Sequence, residues 1–325
     1  MPRADHPVTD AGRRSLRPPG GQRTGSDPLG NRVPGGTRWG PGPPDVDARG
    51  GDMDQRVSHA AAPVELSMRL LGRISASVNG REIRLTGRHA QALLALLALQ
   101  PRPRSREAIA TDLWPDADGS SSAALRQALW LVRGAISAAG TDPDAVVEAD
   151  QDSIGLRACL NLDLDAGRFE RLVRGQPAEP EAALLLYRGD LAEGLCHECF
   201  ASDRERLSDA YEDALAMAAQ DRLDCGDPAG ARTAAEQLLA RDGLREEAHE
   251  TLIRVYGATG SRSQVHRQFR RLREVLEREI GVEPLPETIA AYRTALAETV
   301  ERSRLSAASA VFATRRGLAA FAGRT

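Results

Sequence analysis

Two short stretches carry side chains able to do chemistry. The first is 196-CHECF-200, two thiols, an imidazole and a carboxylate within four residues, the types that ligate zinc or exchange disulfides. A closed zinc site needs four ligands, and a single C-x-x-C pair has only Cys225 and distant histidines to complete it. A thioredoxin-like role needs a preceding strand, and none is suggested there. No metal and no cofactor are therefore assigned. The chain also lacks G-x-x-x-x-G-K-[ST], G-x-S-x-G and H-E-x-x-H, and it reads as a non-enzyme.

The second stretch is 120-SSSAALRQALWLVRGAI-136. Leu125, Leu129, Val132 and Ile136 fall on one helical stripe, suited to a core. Arg126, Gln127, Trp130 and Arg133 fall off it, and the preceding serines suit an N-cap. Arginine and glutamine match guanine and adenine edges in two-point hydrogen bonding, so this face could read bases. The alternative is an ordinary solvated face, with Trp130 packed under a neighbouring hairpin. The surrounding elements favour the first reading.

Residues 1–63 hold 11 of the 30 glycines and 10 of the 19 prolines, and they are expected to form a disordered tail. From Val64 the pattern changes. The stretches 66–72 and 73–78 read as extended, Asn79-Gly80 is a strong hairpin signal, and 81–85 alternates beyond it. Three helices follow, at about 88–99, 106–114 and the stretch above. The second has Ser105 as N-cap, Glu107 in its first turn and a stop at Trp114-Pro115. Segments 146–149 and 154–158 then bracket Asp150-Gln151-Asp152 as a closing hairpin. This order outlines a winged helix-turn-helix over 64–165. Arg102, Arg104 and Arg106 crowd the approach to its second helix, where a winged helix contacts phosphates while its third helix enters the major groove.

Past Asp165 the chain reads as helix after helix, including segments 181–195, 203–224 and 287–299. Gly226 and Gly260 lie 34 residues apart, an offset that pairs Ala231 with Val265, Ala235 with Phe269 and Leu238 with Leu272. That period is the tetratricopeptide signature. The expected fold is mainly α with a small β component: a winged helix-turn-helix followed by an all-α tetratricopeptide-like domain over 166–299. A basic linker or tail, 300–325, follows.

Charge separates the halves. Every one of the 43 basic residues is arginine, and the whole chain carries −3. Residues 66–165 hold 11 arginines against 12 acids, whereas 166–298 hold 18 against 25, which points the helical half toward proteins rather than nucleic acid. The most apolar run, 92-ALLALLAL-99, is too short to cross a bilayer, and four cysteines without a disulfide framework suit a reducing cytoplasm.

Several stretches together resemble one family. The segment 69-RLLGRISASVNGREIRLTGRHAQALLALLAL-99 is similar to the opening of the Streptomyces antibiotic regulatory protein family, and 124-ALRQALWLVRGAI-136 to its recognition helix. The stretches 187-YRGDLAEGL-195, 203-DRERL-207 and 281-GVEPLPET-288 resemble landmarks of its bacterial transcriptional activation domain. The resemblance implies an OmpR-like winged helix, the output module of two-component phosphorelays, in a transcriptional activator. Such a protein binds promoter direct repeats in double-stranded DNA, as a homodimer or larger assembly, and recruits RNA polymerase, often for an antibiotic gene cluster. It places Arg126, Gln127, Trp130 and Arg133 on the recognition helix and 150-DQDS-153 on the wing. The full expected contact set adds Arg104, Arg106, Ser121, Ser122, Gln151 and Ser153. Two departures stand out: the wing is acidic, and Cys-His-Glu-Cys-Phe replaces a tryptophan-containing acidic turn, with Phe200 as substitute. Larger relatives continue into an ATPase, and 317-GLAAFAGRT-325 resembles the lead-in to it. The competing reading is a helical adaptor or sensor, or the front of such a larger regulator, whose winged helix meets protein only.

Overall fold

The computed structural model describes residues 63–116 and 120–322, with side chains up to Leu305. The expected tail over 1–63 lies, Pro63 apart, outside the described residues. The chain opens with β1 (Glu65–Arg69), β2 (Ser75–Val78) and β3 (Arg81–Ile83), all antiparallel neighbours. Asn79 and Gly80 turn β2 into β3 with φ of 48° and 75°, the two positive values that a tight hairpin turn of matching twist requires. Helix α1 (Arg88–Leu99) follows and buries eight of its twelve residues, so it is the centre of the first half.

Helix α2 (Arg106–Leu113) starts where expected. Ser105 Oγ accepts the Ala108 N–H at 3.2 Å, and the helix stops at Trp114 before Pro115. Helix α3 (Ser121–Ala138) buries Leu125, Ala128, Leu129, Val132 and Ile136, the anticipated stripe plus one alanine. The serine cap does not form: Ser120 has helical backbone angles and its side chain bonds no N–H, so the serines belong to the first turn. The closing hairpin is β5 (Val147–Ala149) with β6 (Ser153–Leu156).

Two strands were not legible in the sequence. The pair Arg104–Ser105 forms β4 against β6, giving a second sheet of order β4-β6-β5. Residues Asn161–Leu164 form β7, which runs parallel to β1 and completes the first sheet in the order β3-β2-β1-β7. Neither has a local pattern of its own; each exists because a distant partner offers backbone groups.

The second half comprises α4 (Asp165–Arg174), α5 (Pro180–Leu186), α6 (Ala201–Asp224), α7 (Pro228–Arg241), α8 (Glu246–Ala258), α9 (Arg262–Glu279) and α10 (Pro286–Ala322). The 34-residue period falls on the turns α6–α7 and α8–α9, where Gly226 and Gly260 take φ of 78° and 74°. Ala231, Ala235, Leu238, Val265 and Leu272 are all buried, and Phe269 stacks on Tyr292 with ring centres 4.0 Å apart. Two expectations are corrected. The helix anticipated over 181–195 ends at Leu186, because Tyr187 turns out to stack on Tyr211 at 4.0 Å and the next residues bond β1's end. Helix α10 continues past 299 to Ala322, through a run rich in the strong helix formers alanine, arginine and leucine.

A joint ties the halves together. Asp165, buried at the first turn of α4, accepts N–H bonds from Leu70 (2.8 Å), Leu71 (3.1 Å) and Ala166 (2.7 Å). The loop after α5 adds Ala192 N–H to Leu70 O (2.7 Å), Gly72 N–H to Asp190 O (3.0 Å) and Glu193 N–H to Gly72 O (3.0 Å). Arg204 of α6 clamps that loop by donating to the carbonyls of Leu191 (3.0 Å), Leu195 and His197 (3.4 Å). A single buried apolar cluster consequently runs from Leu66 to Ala214. Among the described residues no helix is long and apolar enough to cross a membrane.

Candidate DNA-binding face

Helix α3 presents Ser122, Arg126, Trp130 and Arg133 at spacings of four, four and three residues, which is one stripe opposite its leucines, with Gln127 one residue round. Arg126 and Gln127 are exposed, and Trp130 is 67% exposed. The alternative of Trp130 packed beneath the wing is therefore excluded. Leu125 and Ala128 beneath the stripe are buried, which fixes the rotation of the helix and so the direction its polar face points.

The start of α3, the start of α2 and the tip of the β5–β6 hairpin meet around one groove. Arg106, Glu107, Ser121, Ser122, Arg126 and Gln151 line it. The structure therefore brings together five of the expected contact residues, drawn from three separate elements. The tip is held by its own chemistry. Asp150's carboxylate accepts from the N–H of Asp152 (2.8 Å) and Ser153 (2.6 Å) and from Ser153 Oγ (3.0 Å). These hydrogen bonds hold its pKa below the usual carboxylate value. Arg106 then fastens the tip to α2: its Nε donates to Asp150 O at 2.8 Å and its N–H to Asp152 O at 2.9 Å.

Three of the expected contact residues have partners within the chain. Arg133 is engaged with Asp144 of the 3₁₀ turn Pro143–Ala145 at 2.7 Å. Arg104 lies in β4 and pairs with Asp112 of α2 at 2.7 Å, both half-buried. The Ser153 hydroxyl is spent on Asp150. The acidity of the wing also has a local explanation, since Asp150 is a turn former aimed into its own loop.

The Cys-His-Glu-Cys segment does other work. It leads into the 3₁₀ turn Glu198–Phe200, and Phe200 is fully buried, filling the place expected for a large aromatic residue. Burial pushes the Cys199 thiol up to about 11 and holds His197 below the ordinary histidine value. A thiol so shifted stays protonated at neutral pH and is a poor ligand and nucleophile. Among the described residues no group of three or more His, Cys, Asp or Glu side chains is placed to hold a metal.

Sequence reasoning missed the residues of the joint. Asp165 and Arg204 each act on backbone groups remote in sequence, and no local periodicity marks such a role. The resemblance landmarks did enclose Arg204 and 187–195, so the motif carried the signal without its reason.

A helix with an exposed polar stripe beside a wing, built into one core with a stack of helical hairpins, defines the two-part architecture. Residues 156–296 match the family described as bacterial transcriptional activator domain, and that part of the chain belongs to it. The matched family is one of transcriptional activators, and the match supports assignment of the chain to the Streptomyces antibiotic regulatory protein family. Among solved structures it is similar to Mycobacterium tuberculosis EmbR, determined in complex with a low-affinity phosphopeptide. The identity is 22%, the TM-score 0.62, and the match covers 77% of this chain and 71% of that one, a likeness of fold. No curated protein matches the chain significantly by sequence.

Proposed function

We infer that the protein is a sequence-specific DNA-binding transcriptional activator acting in the cytoplasm. The observation that carries this reading is the groove where α3, the start of α2 and the wing tip present Arg126, Ser122, Arg106 and Gln151 beside the exposed Gln127 and Trp130. In this reading α3 enters the major groove, Arg126 and Gln127 contact base edges, and Trp130 covers sugar or a thymine methyl. Ser121, Ser122, Arg106 and Gln151 lie along the phosphates. The family resemblance supports the finer points: binding to promoter direct repeats as a homodimer or larger assembly, recruitment of RNA polymerase by the activator domain, and control of an antibiotic cluster.

The test is binding of the full chain to fragments of its upstream promoter region across a salt series. A steep fall in affinity with salt, and an Arg126→Ala loss of about 1–3 kcal/mol with relaxed base preference, are expected. The exposure of Trp130 also favours a second reading, in which this face meets a protein as part of an adaptor. Absent or salt-insensitive binding to every fragment would replace the first reading with the second.

A further inference from the structure

The outer face of the first sheet carries an unassigned hollow of about 560 Å³, a size suited to a small ligand. Its floor is Ser67, Ser75 and Ser77, which share one face of β1 and β2: Ser67 pairs with Ser77, and Arg69 with Ser75. Serines are too short to fill a sheet face between long neighbours, so a recess remains. Its walls come from both halves of the molecule, Asp163 on β7, Asp165 and Arg168 on α4, and Arg188 after α5.

Three arginines from three elements, Arg69, Arg168 and Arg188, border this recess. The acids around it are largely committed. Asp165 gives both oxygens to backbone N–H groups. Glu82 pairs with Arg84 at 3.3 Å. Asp163 accepts from Ser67 Oγ at 3.5 Å and lies 3.8 Å from Arg168. The donors are not committed to the same degree. Arg69 uses only Nε, on Ser75 Oγ at 2.8 Å, which aims its guanidinium along the floor. Arg188 has no hydrogen-bond or ion-pair partner among the described residues, while its backbone is pinned against Gly72. The recess thus has donors to spare, hydroxyls on its floor and no aromatic ring among the described residues that line it.

We propose that this hollow is a binding site for a small phosphorylated, hydroxyl-bearing molecule, whose phosphate is held by Arg69 and Arg188 and whose hydroxyls meet the serine floor. Arginine pairs with phosphate in two-point geometry, and serine hydroxyls both donate and accept. The absence of ring-bearing walls selects against a stacked nucleobase. Because the walls come from both halves, the ligand stabilises the joint that orients α3. The site is independent of the DNA reading and stands or falls without it.

The full chain, at fixed ionic strength, is titrated calorimetrically and by thermal unfolding with glucose 6-phosphate, inorganic phosphate and glucose. Expected are saturable binding and a raised midpoint with glucose 6-phosphate, a smaller rise with phosphate, and none with glucose. Replacing Arg69→Gln and Arg188→Gln together weakens binding about tenfold or more, while Arg270→Gln on α9 leaves it unchanged. If neither phosphate-bearing probe binds, or if both bind the double variant as well as the parent, the proposal is overturned. Should the double variant unfold early, calorimetry on each single variant decides on the same criterion.

Discussion

Arg126 and Arg133 lie seven residues apart on one stripe of α3, yet only Arg126 is exposed; Arg133 is half-buried and held by Asp144. Residue type and spacing marked both equally, and the partner that separates them lies eleven positions downstream in a 3₁₀ turn. Asp150 makes the complementary point. By charge alone its carboxylate on the wing should repel phosphate, so Asp150→Ala should tighten binding to DNA. The structure gives the opposite expectation, since Asp150 forms three hydrogen bonds that shape the tip to which Arg106 is fastened. Asp150→Ala should weaken binding evenly across operator sequences, read by titrating matched and scrambled sites. Tighter binding would show that the turn is not what the carboxylate is for.

At the scale of elements, the hairpin at Asn79-Gly80, the helices α1 to α3 and the 34-residue repeat were legible, because each follows from local periodicity or turn chemistry. Strands β4 and β7 were not, because two and four residues become strand only through partners about 50 and 96 positions away. The exposed stripe of α3 was legible by its spacing, whereas the ion pairs of Arg104 and Arg133 required the fold. Inside the helical stack a histidine sets a pH limit. His249 of α8 is buried; its Nε2–H donates to Gly243 O at 3.2 Å and its Nδ1 accepts from the Gln268 amide at 2.7 Å. Burial holds its pKa below the ordinary value of about 6.5. Above that pH both folded and unfolded chains keep the ring neutral. Below it the unfolded chain takes up the proton first, so stability falls as pH falls. Urea unfolding at pH 7.5 and 5.5 should show this loss, and His249→Gln should reduce the slope; an unchanged slope would remove His249 as its source.

For the whole molecule, the decisive feature is the joint. Asp165 supplies acceptors to two buried N–H groups at the end of β1, and without it Leu70 and Leu71 lose them. Asp165→Ala should cost about 2–6 kcal/mol, since each of the two stranded buried donors costs about 1–3 kcal/mol. Chemical denaturation should show the shift through probes in both halves at once; a shift confined to one half would mean that the two melt separately. The continuous cluster from Leu66 to Ala214 also bears on how two copies could share an operator. With α3 embedded in the same packed body as the helical stack, each copy presents it at a set azimuth. Paired half-sites should therefore tolerate spacer changes of a whole DNA turn, about 10 base pairs, and fail at half a turn, where the second copy would face the far side of the duplex.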